Sequence, residues 1–448
     1  MNDIQQVKSN RYLMKLTLPV FIEMLFGLLM GNVDQLMINT QSRNAYTAIG
    51  NTNQIINLFI IFFSVVAMAS TIMISQYIGS KNHKKIEQLY SLSMAVNLII
   101  GVVVSLFLLL FNAQILKMLD YPQELMYNSR IFISIIGGGL FLNAIMVTYS
   151  SFLKSNGFMK ECMYISVIIN IINLVGNCLL IFGWFGLPKL GIVGSAVASN
   201  FSKLVGVLMF IYLYKKRIGV KISIKQIMPF PVAQLKKMMG IGLPSGGESL
   251  AYSFAIIVIQ KTINKFGTEV VSARVTVNMI SFVSWIFALA ISSTTQIIVG
   301  YLMGARDIEG TEERFKSSRK LSMLCSLIGS LILFFLCKPI CGIFVHETAI
   351  LNLCQQIMFV EIFLEQGRAV NLVTVRSLQA CGDTKFPIFL GIIDEWVVAV
   401  GLGYVLAVVF NMGLVGVWIA MASDEIIRAI IFTIRWEKGK WRSMVLAD

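Results

Sequence analysis

From Leu92 to Leu116 the chain runs 25 residues without a charged side chain, and Leu321 to Cys337 is a second such run. About 20 mostly apolar residues make a helix long enough to cross the hydrocarbon core of a bilayer. There a helix satisfies its own backbone hydrogen bonds. The stretch NLIIGVVVSLFLLLF, starting at Asn97, does not alternate polar and apolar positions as the strands of a transmembrane barrel do. Composition agrees, with 56% hydrophobic and 13% charged residues, where an ordinary soluble protein carries roughly a quarter charged. Too little polar surface remains to cover a water-soluble globule. Dividing the chain at its charge clusters predicts an all-α membrane protein with twelve transmembrane helices. They fall near 13–38, 47–77, 89–111, 130–153, 161–186, 190–214, 240–264, 271–303, 319–345, 355–380, 386–411 and 413–435.

The net charge of +14 is compatible with nucleic-acid binding, but its distribution indicates a membrane. About 25 of the 37 lysines and arginines lie at one set of alternating span ends. The largest group is Lys215, Lys216, Arg217, Lys221, Lys225, Lys236 and Lys237, and the opposite loops hold few, such as Lys117, Lys189 and Lys338. This positive-inside bias predicts that both termini are cytoplasmic. No interleaving of aromatic with basic residues accompanies it, so no nucleic-acid partner is expected. The seven cysteines are an odd count placed mostly in spans, and read as small apolar residues. His83 and His346 are the two histidines, too few for a Cys/His metal cluster. The first apolar run is too long for a cleaved signal peptide and lacks a small-residue cleavage site.

Shifting the chain by 225 residues lays it on itself. Leu18-Pro19 meets Leu243-Pro244, Glu23 meets Glu248, Gly79 meets Gly304, Gly157 meets Gly382 and Lys160 meets Lys385. Paired Pro, Gly, Glu and Lys at one offset are not chance apolar matches. Each half then holds six spans, an even number, so the repeats are parallel, related by a pseudo-two-fold axis along the membrane normal, with a site expected between them near the midplane. The division reads as an N-lobe at 1–214, a basic cytoplasmic linker at 215–238, a C-lobe at 239–435 and a cytoplasmic tail at 436–448. The repeat fails at Asp34, which pairs with Ile259.

These segments resemble the MATE (multidrug and toxic compound extrusion) transporters. The likeness is carried by LTLPVFIEMLFGLLMGNVDQLMI in the first span, SQYIGSKN, LKSNGFMK, NIINLVGNCLLIFG, LPKLGIVGSAVAS, LPSGGESLAYSF, VGYLMGARDIEGTEE, LQACGDTKFP and GLVGVWIA. It covers nearly the whole chain. The resemblance implies an exporter of small, mostly cationic organic compounds, driven by inward Na⁺ or H⁺ through rocking of two lobes in the bacterial inner membrane. It implies no cofactor beyond that ion, small-molecule substrates, a lipid environment and a monomer.

A carboxylate at bilayer depth is costly and therefore a functional candidate. Asp34 leads, deep in the first span; in relatives an acid here binds the coupling ion or proton, and the alternative is a structural cap near the outer interface. Pro19 deletes a backbone hydrogen bond and lets the helix bend. Some relatives bend here when the acid changes state, although Pro244 repeats the proline in a lobe without the acid. Asn170, Asn173 and Asn177 share one face of the fifth span, and amide oxygens suit hard cations such as Na⁺. By the resemblance, Asn173 and Ser199 match cation ligands, while Asn177 stands where several relatives have Asp. A possible Na⁺ site is thus Asp34, Asn173, Asn177 and Ser199; a ladder of asparagines that only joins helices is the alternative.

Glu248, four residues after Pro244, is the secondary C-lobe acid. Glu23 lies about 16 Å along the helix from Asp34 and reads as an access-path or inter-lobe partner. Glu361, Glu365 and Arg368 share one face of the tenth span and read as an internally compensated ion cluster. Relatives with an acid in place of Arg368 build a sodium cluster that this chain does not reproduce. Asp394 and Glu395, being adjacent, point about 100° apart. Asp424, Glu425 and Arg428 read as an interface cluster, and Lys203 is left without an assigned partner. A flippase for lipid-linked saccharides or cell-wall precursors is the competing function, but it needs a more cationic cavity. An enzyme is not expected, for the chain has no P-loop, no His pair and no Gly-x-Ser-x-Gly elbow.

Overall fold

The computed structural model describes residues 7–342 and 347–446; His346 lies outside the described residues. Among these residues there is no strand, and the helices are Asn10–Asn39 (α1), Arg43–Gly79 (α2), His83–Met118 (α3), Gln123–Phe132 (α4), Leu140–Ser155 (α5), Met159–Phe182 (α6), Ile192–Arg217 (α7), Val232–Ile263 (α8), Thr268–Gly304 (α9), Ile308–Cys341 (α10), Thr348–Cys381 (α11), Lys385–Asp394 (α12) and Gly413–Glu437 (α13). Ten spans are long and apolar enough to cross a membrane singly, one of them continuing from α12 to Val409. The bent pair α4–α5 makes an eleventh. The twelfth is α13, which carries Asp424, Glu425, Arg428 and Arg435 among its apolar residues. All seven cysteines are free thiols.

The internal repeat reaches down to single backbone angles. Lys81 and Arg306, at equivalent positions, both adopt positive φ, 56° and 58°. The next residue in each copy caps a helix: Asn82 accepts from the Lys85 N–H at 3.2 Å, and Asp307 from Gly310 at 2.8 Å. Such caps satisfy one of the four donors that a helix start leaves open.

The fourth span departs from the straight helix expected at 130–153. It breaks by 42° between α4 and α5, after a π-helical turn at Ile133–Gly137. A π turn loosens the regular backbone ladder and bends the helix. The Asn200 amide of α7 fills the gap by donating to the Ile135 carbonyl at 2.5 Å. The eleventh span is likewise π-helical at Glu395–Leu402 and Val405–Val409.

The chain packs as two units. One draws on Met1–Phe21, Ser75–Lys81 and Leu243–Asp448, the other on Ile22–Ile74 and Asn82–Gly242. The first is called the C unit below and the second the N unit. Both α1 and α8 therefore divide within two residues of their prolines, Pro19 and Pro244.

Lipid is as apolar as the side chains, so close contact at small residues and interhelical hydrogen bonds must hold such helices together. In the C unit α11 packs on α9, α10 and α13, around Ile259, Val277, Leu364 and Trp418. Gly79 and Gly304, partners in the repeat, cross there so closely that a β-carbon on either would collide with the other segment's backbone. Thr17 and Thr294 share a hydrogen bond of 2.8 Å in the same unit. Its C-terminal segment is packed too: Trp441 is fully buried and stacks on Trp436 at 4.3 Å. In the N unit α6 pairs with α7 and α3 with α5. The Asn97 amide bridges α3 to Thr148 at 2.7 Å. The basic segment after α7 is anchored at Ser91, which donates to Gln226 at 2.6 Å and accepts from the Ser223 N–H at 3.1 Å.

Candidate functional site

Each unit contains a cavity. That of the N unit, about 640 Å³, is lined by Glu23, Gly27, Gly31 and Asp34 along one stripe of α1. Steps of four, four and three residues keep this stripe on one helix face, and nothing lies within 4 Å of where a β-carbon would stand on Gly27 or Gly31. The glycines thus leave an open lane between the two carboxylates. Opposite the stripe, α2 adds Asn53 and Asn57, α5 adds Lys154, α6 adds Asn170 and Asn173, and α7 adds Ser199 and Lys203.

The structure brings the four predicted coupling residues into two linked pairs. The Asn177 amide donates to Asp34 Oδ1 at 2.7 Å, and the Asn173 amide donates to Ser199 Oγ at 3.1 Å. Asn177 is fully buried behind Asp34, and its side-chain oxygen has no hydrogen-bond partner among the described residues. An acceptor left open beside a carboxylate is a place where a cation gains oxygen ligands.

Two lysines balance the two acids. Lys154 donates to Glu23 at 2.8 Å, and Lys203 stands within electrostatic reach of Asp34. The span expected at 130–153 stops one residue short of Lys154 and leaves it in the following loop. Lys154 occupies the last turn of α5 and turns inward; the partners are 131 residues apart, and no local pattern joins them. Lys203 lies one turn beyond Ser199 on α7, a spacing that put both on one face in the sequence itself.

The C-unit cavity, about 460 Å³, is lined by Glu248, Tyr252, Arg274, Glu361, Arg368, Glu425 and Arg428 among others. Glu361, Glu365 and Arg368 do meet, but in a larger network. Arg368 hydrogen-bonds Glu365, lies 3.9 Å from Glu361 and reaches Glu425 at 3.2 Å. Trp418 donates to Glu361 at 2.7 Å, and Asn371 donates to Glu425 at 2.7 Å. Arg428 pairs with Asp424 and Glu425. The group at 424–428 is therefore joined to α11. Asp394 and Glu395 are both buried, at 9% and 4% exposed. Arg274 did not stand out in the sequence.

The MatE family model matches twice, over residues 19–179 and 244–405. An "Uncharacterized transporter YisQ" of Bacillus subtilis is 32% identical over 96% of this chain and 94% of its own length. A "Probable multidrug resistance protein NorM" of Thermotoga maritima is 24% identical over 96% of this chain and 92% of that protein. Among solved structures, a "Crystal structure of MATE in complex with MaL6" superposes with a TM-score of 0.90 at 18% identity, covering 99% of both chains. The matching stretches both begin at the repeated Leu-Pro proline and together cover most of a twelve-span, all-helical chain. The chain belongs to the MatE family of multi-pass membrane transporters, and it is no enzyme.

Proposed function

We propose that this protein exports small, mostly cationic organic compounds across the bacterial inner membrane in exchange for inward Na⁺ or H⁺. It acts as a monomer with both termini in the cytoplasm, by alternating access of two lobes. The observation that carries this reading is Asp34 in the N-unit cavity, hydrogen-bonded to Asn177 and beside Asn173 and Ser199. Antiport requires one site that the coupling cation and the cationic substrate neutralise in turn. An intramembrane carboxylate with an open amide oxygen at its back supports that role. The names of relatives such as the NorM proteins agree with drug efflux.

The test is ethidium efflux from proteoliposomes, with Na⁺ and pH gradients imposed separately. Asp34→Asn keeps shape and hydrogen-bonding capacity but deletes the charge, so the protein folds normally. Coupled efflux per unit of protein falls by about tenfold or more, the size expected for losing a charge-assisted contact. Glu248→Gln, in the C-unit cavity, retains efflux. An Asp34→Asn protein that pumps like its parent while Glu248→Gln is dead would move coupling to the C unit and overturn the assignment.

A further inference from the structure

Among the described residues, one cation lining the C-unit cavity has no carboxylate within ion-pair distance. Three guanidiniums line it: Arg274, Arg368 and Arg428. Arg368 is held by Glu361, Glu365 and Glu425, and Arg428 by Asp424 and Glu425. Glu248 also lines the cavity, within electrostatic reach of Arg376 and Arg428. Arg274 differs. It is 6% exposed and donates to the neutral side-chain oxygen of Gln260. Among the described residues no carboxylate lies within ion-pair distance of it.

A guanidinium offers five N–H donors in a rigid plane. Burying one without a counter-ion is costly, and such residues persist where they serve a ligand or a path. Arg274 heads a stripe of α9 that continues through Asn278, Phe282 and Trp285, a spacing that keeps all four on one helix face. Phe282 and Trp285 meet edge to face with centroids 5.0 Å apart. The stripe therefore presents a planar cation at one end and an aromatic wall at the other. The cavity's volume of about 460 Å³ lies within the range of small-molecule sites, about 300–1,000 Å³.

We infer that the C-unit cavity is a second binding site, for a small aromatic carboxylate whose anionic group pairs with Arg274 and whose ring lies against Phe282 and Trp285. The fork of Arg274 matches the two oxygens of a carboxylate. Arg368 and Arg428 are already paired with carboxylates, so Arg274 sets the sign of the ligand. This site takes the opposite charge from the N-unit cavity and does not depend on the cation reading of Asp34.

The test is equilibrium binding to the purified full-length protein of 2-naphthoate and its neutral analogue 2-naphthamide, with ethidium as a third probe. The unmodified protein binds naphthoate about tenfold or more tightly than naphthamide. Arg274→Gln erases that preference, Arg274→Lys keeps part of it, and Trp285→Ala weakens both naphthyl compounds. Ethidium binding stays the same in all of them, because its site is in the other unit, and this also shows that the variants are folded. The proposal is overturned if the unmodified protein shows no preference for naphthoate, or if the preference survives in folded Arg274→Gln. Should Arg274→Gln fail to fold, unchanged naphthoate binding in Trp285→Ala overturns it instead. Loss of ethidium binding in the unmodified protein would strike the cation reading alone.

Discussion

At the start of α10, Asp307 does two jobs with one carboxylate. It caps the helix through the Gly310 N–H at 2.8 Å and pairs with Lys8 at 2.7 Å. Burial alone would push this carboxyl up, but the hydrogen bonds from Lys8 and Gly310 and the Lys8 charge hold it below its ordinary value. A depressed value in the folded state means that the unfolded chain takes up the proton first. The stabilisation is therefore complete above the ordinary carboxylate range and lost as pH falls through the folded value. Asp307→Asn keeps the cap, as Asn82 does in the other repeat, but deletes the charge that pairs with Lys8, and costs about 0.2–1 kcal/mol near neutral pH. Thermal unfolding in detergent at a series of pH values should show that gap closing below about pH 4. A gap that stays constant with pH would mean that the charge contributes nothing.

At the same scale, some pairings were legible in the chain and others were not. The asparagine face of α6 and the deep acid of α1 could be read from the chain, and they meet as Asn177 and Asp34. The Glu23–Lys154 pair could not, because its partners belong to helices whose mutual rotation no local period encodes. Arg274 was invisible for the same reason: its setting shows only once the described carboxylates have positions.

At the scale of elements, apolar run length located the spans, but it carries no information about how straight they are. The π turn at Ile133–Gly137 leaves no mark in hydropathy, since its residues Ile, Ser, Ile, Ile and Gly are as apolar as their neighbours. What supports the bend is polar and distant in sequence: the Asn200 amide on the Ile135 carbonyl. Gly139 leaves room for it, since a β-carbon there would collide with the Asn200 side chain. Asn200→Ala removes the donor and leaves a void beside Gly139, while Asn200→Asp puts a charge against a carbonyl. Interhelical hydrogen bonds of this kind are worth about 0.6–2 kcal/mol in membranes, so Asn200→Ala should lower the unfolding temperature by a few degrees. Asn200→Asp should lower it further. Equal stability of Asn200→Ala and the parent protein would show that the bend needs no such support.

For the whole molecule, the decisive quantity is the direction in which the chain is threaded, and charge sets it. The loop after α7 is rich in lysine, and the turn between α6 and α7 carries Lys189 and no other charge between Phe182 and Ile192. Translocating a lysine cluster against the membrane potential and away from anionic lipid is unfavourable, whereas a single lysine is tolerated. Lys221 should therefore face the cytoplasm and Lys189 the outside. Both are exposed, so cysteines placed there are reachable. Five of the seven native thiols are buried, and Cys178 and Cys325 are only half-buried, so replacing those two by serine removes the background. In intact cells, an impermeant maleimide should label Lys189→Cys and spare Lys221→Cys, while a permeant maleimide labels both. The reverse pattern would invert the threading, put the termini outside, and turn an exporter driven by inward cation flow into a protein facing the wrong gradient. No rearrangement of side chains in either cavity could rescue the proposed function from that result, because the direction of coupling depends on which side Asp34 meets the higher cation concentration.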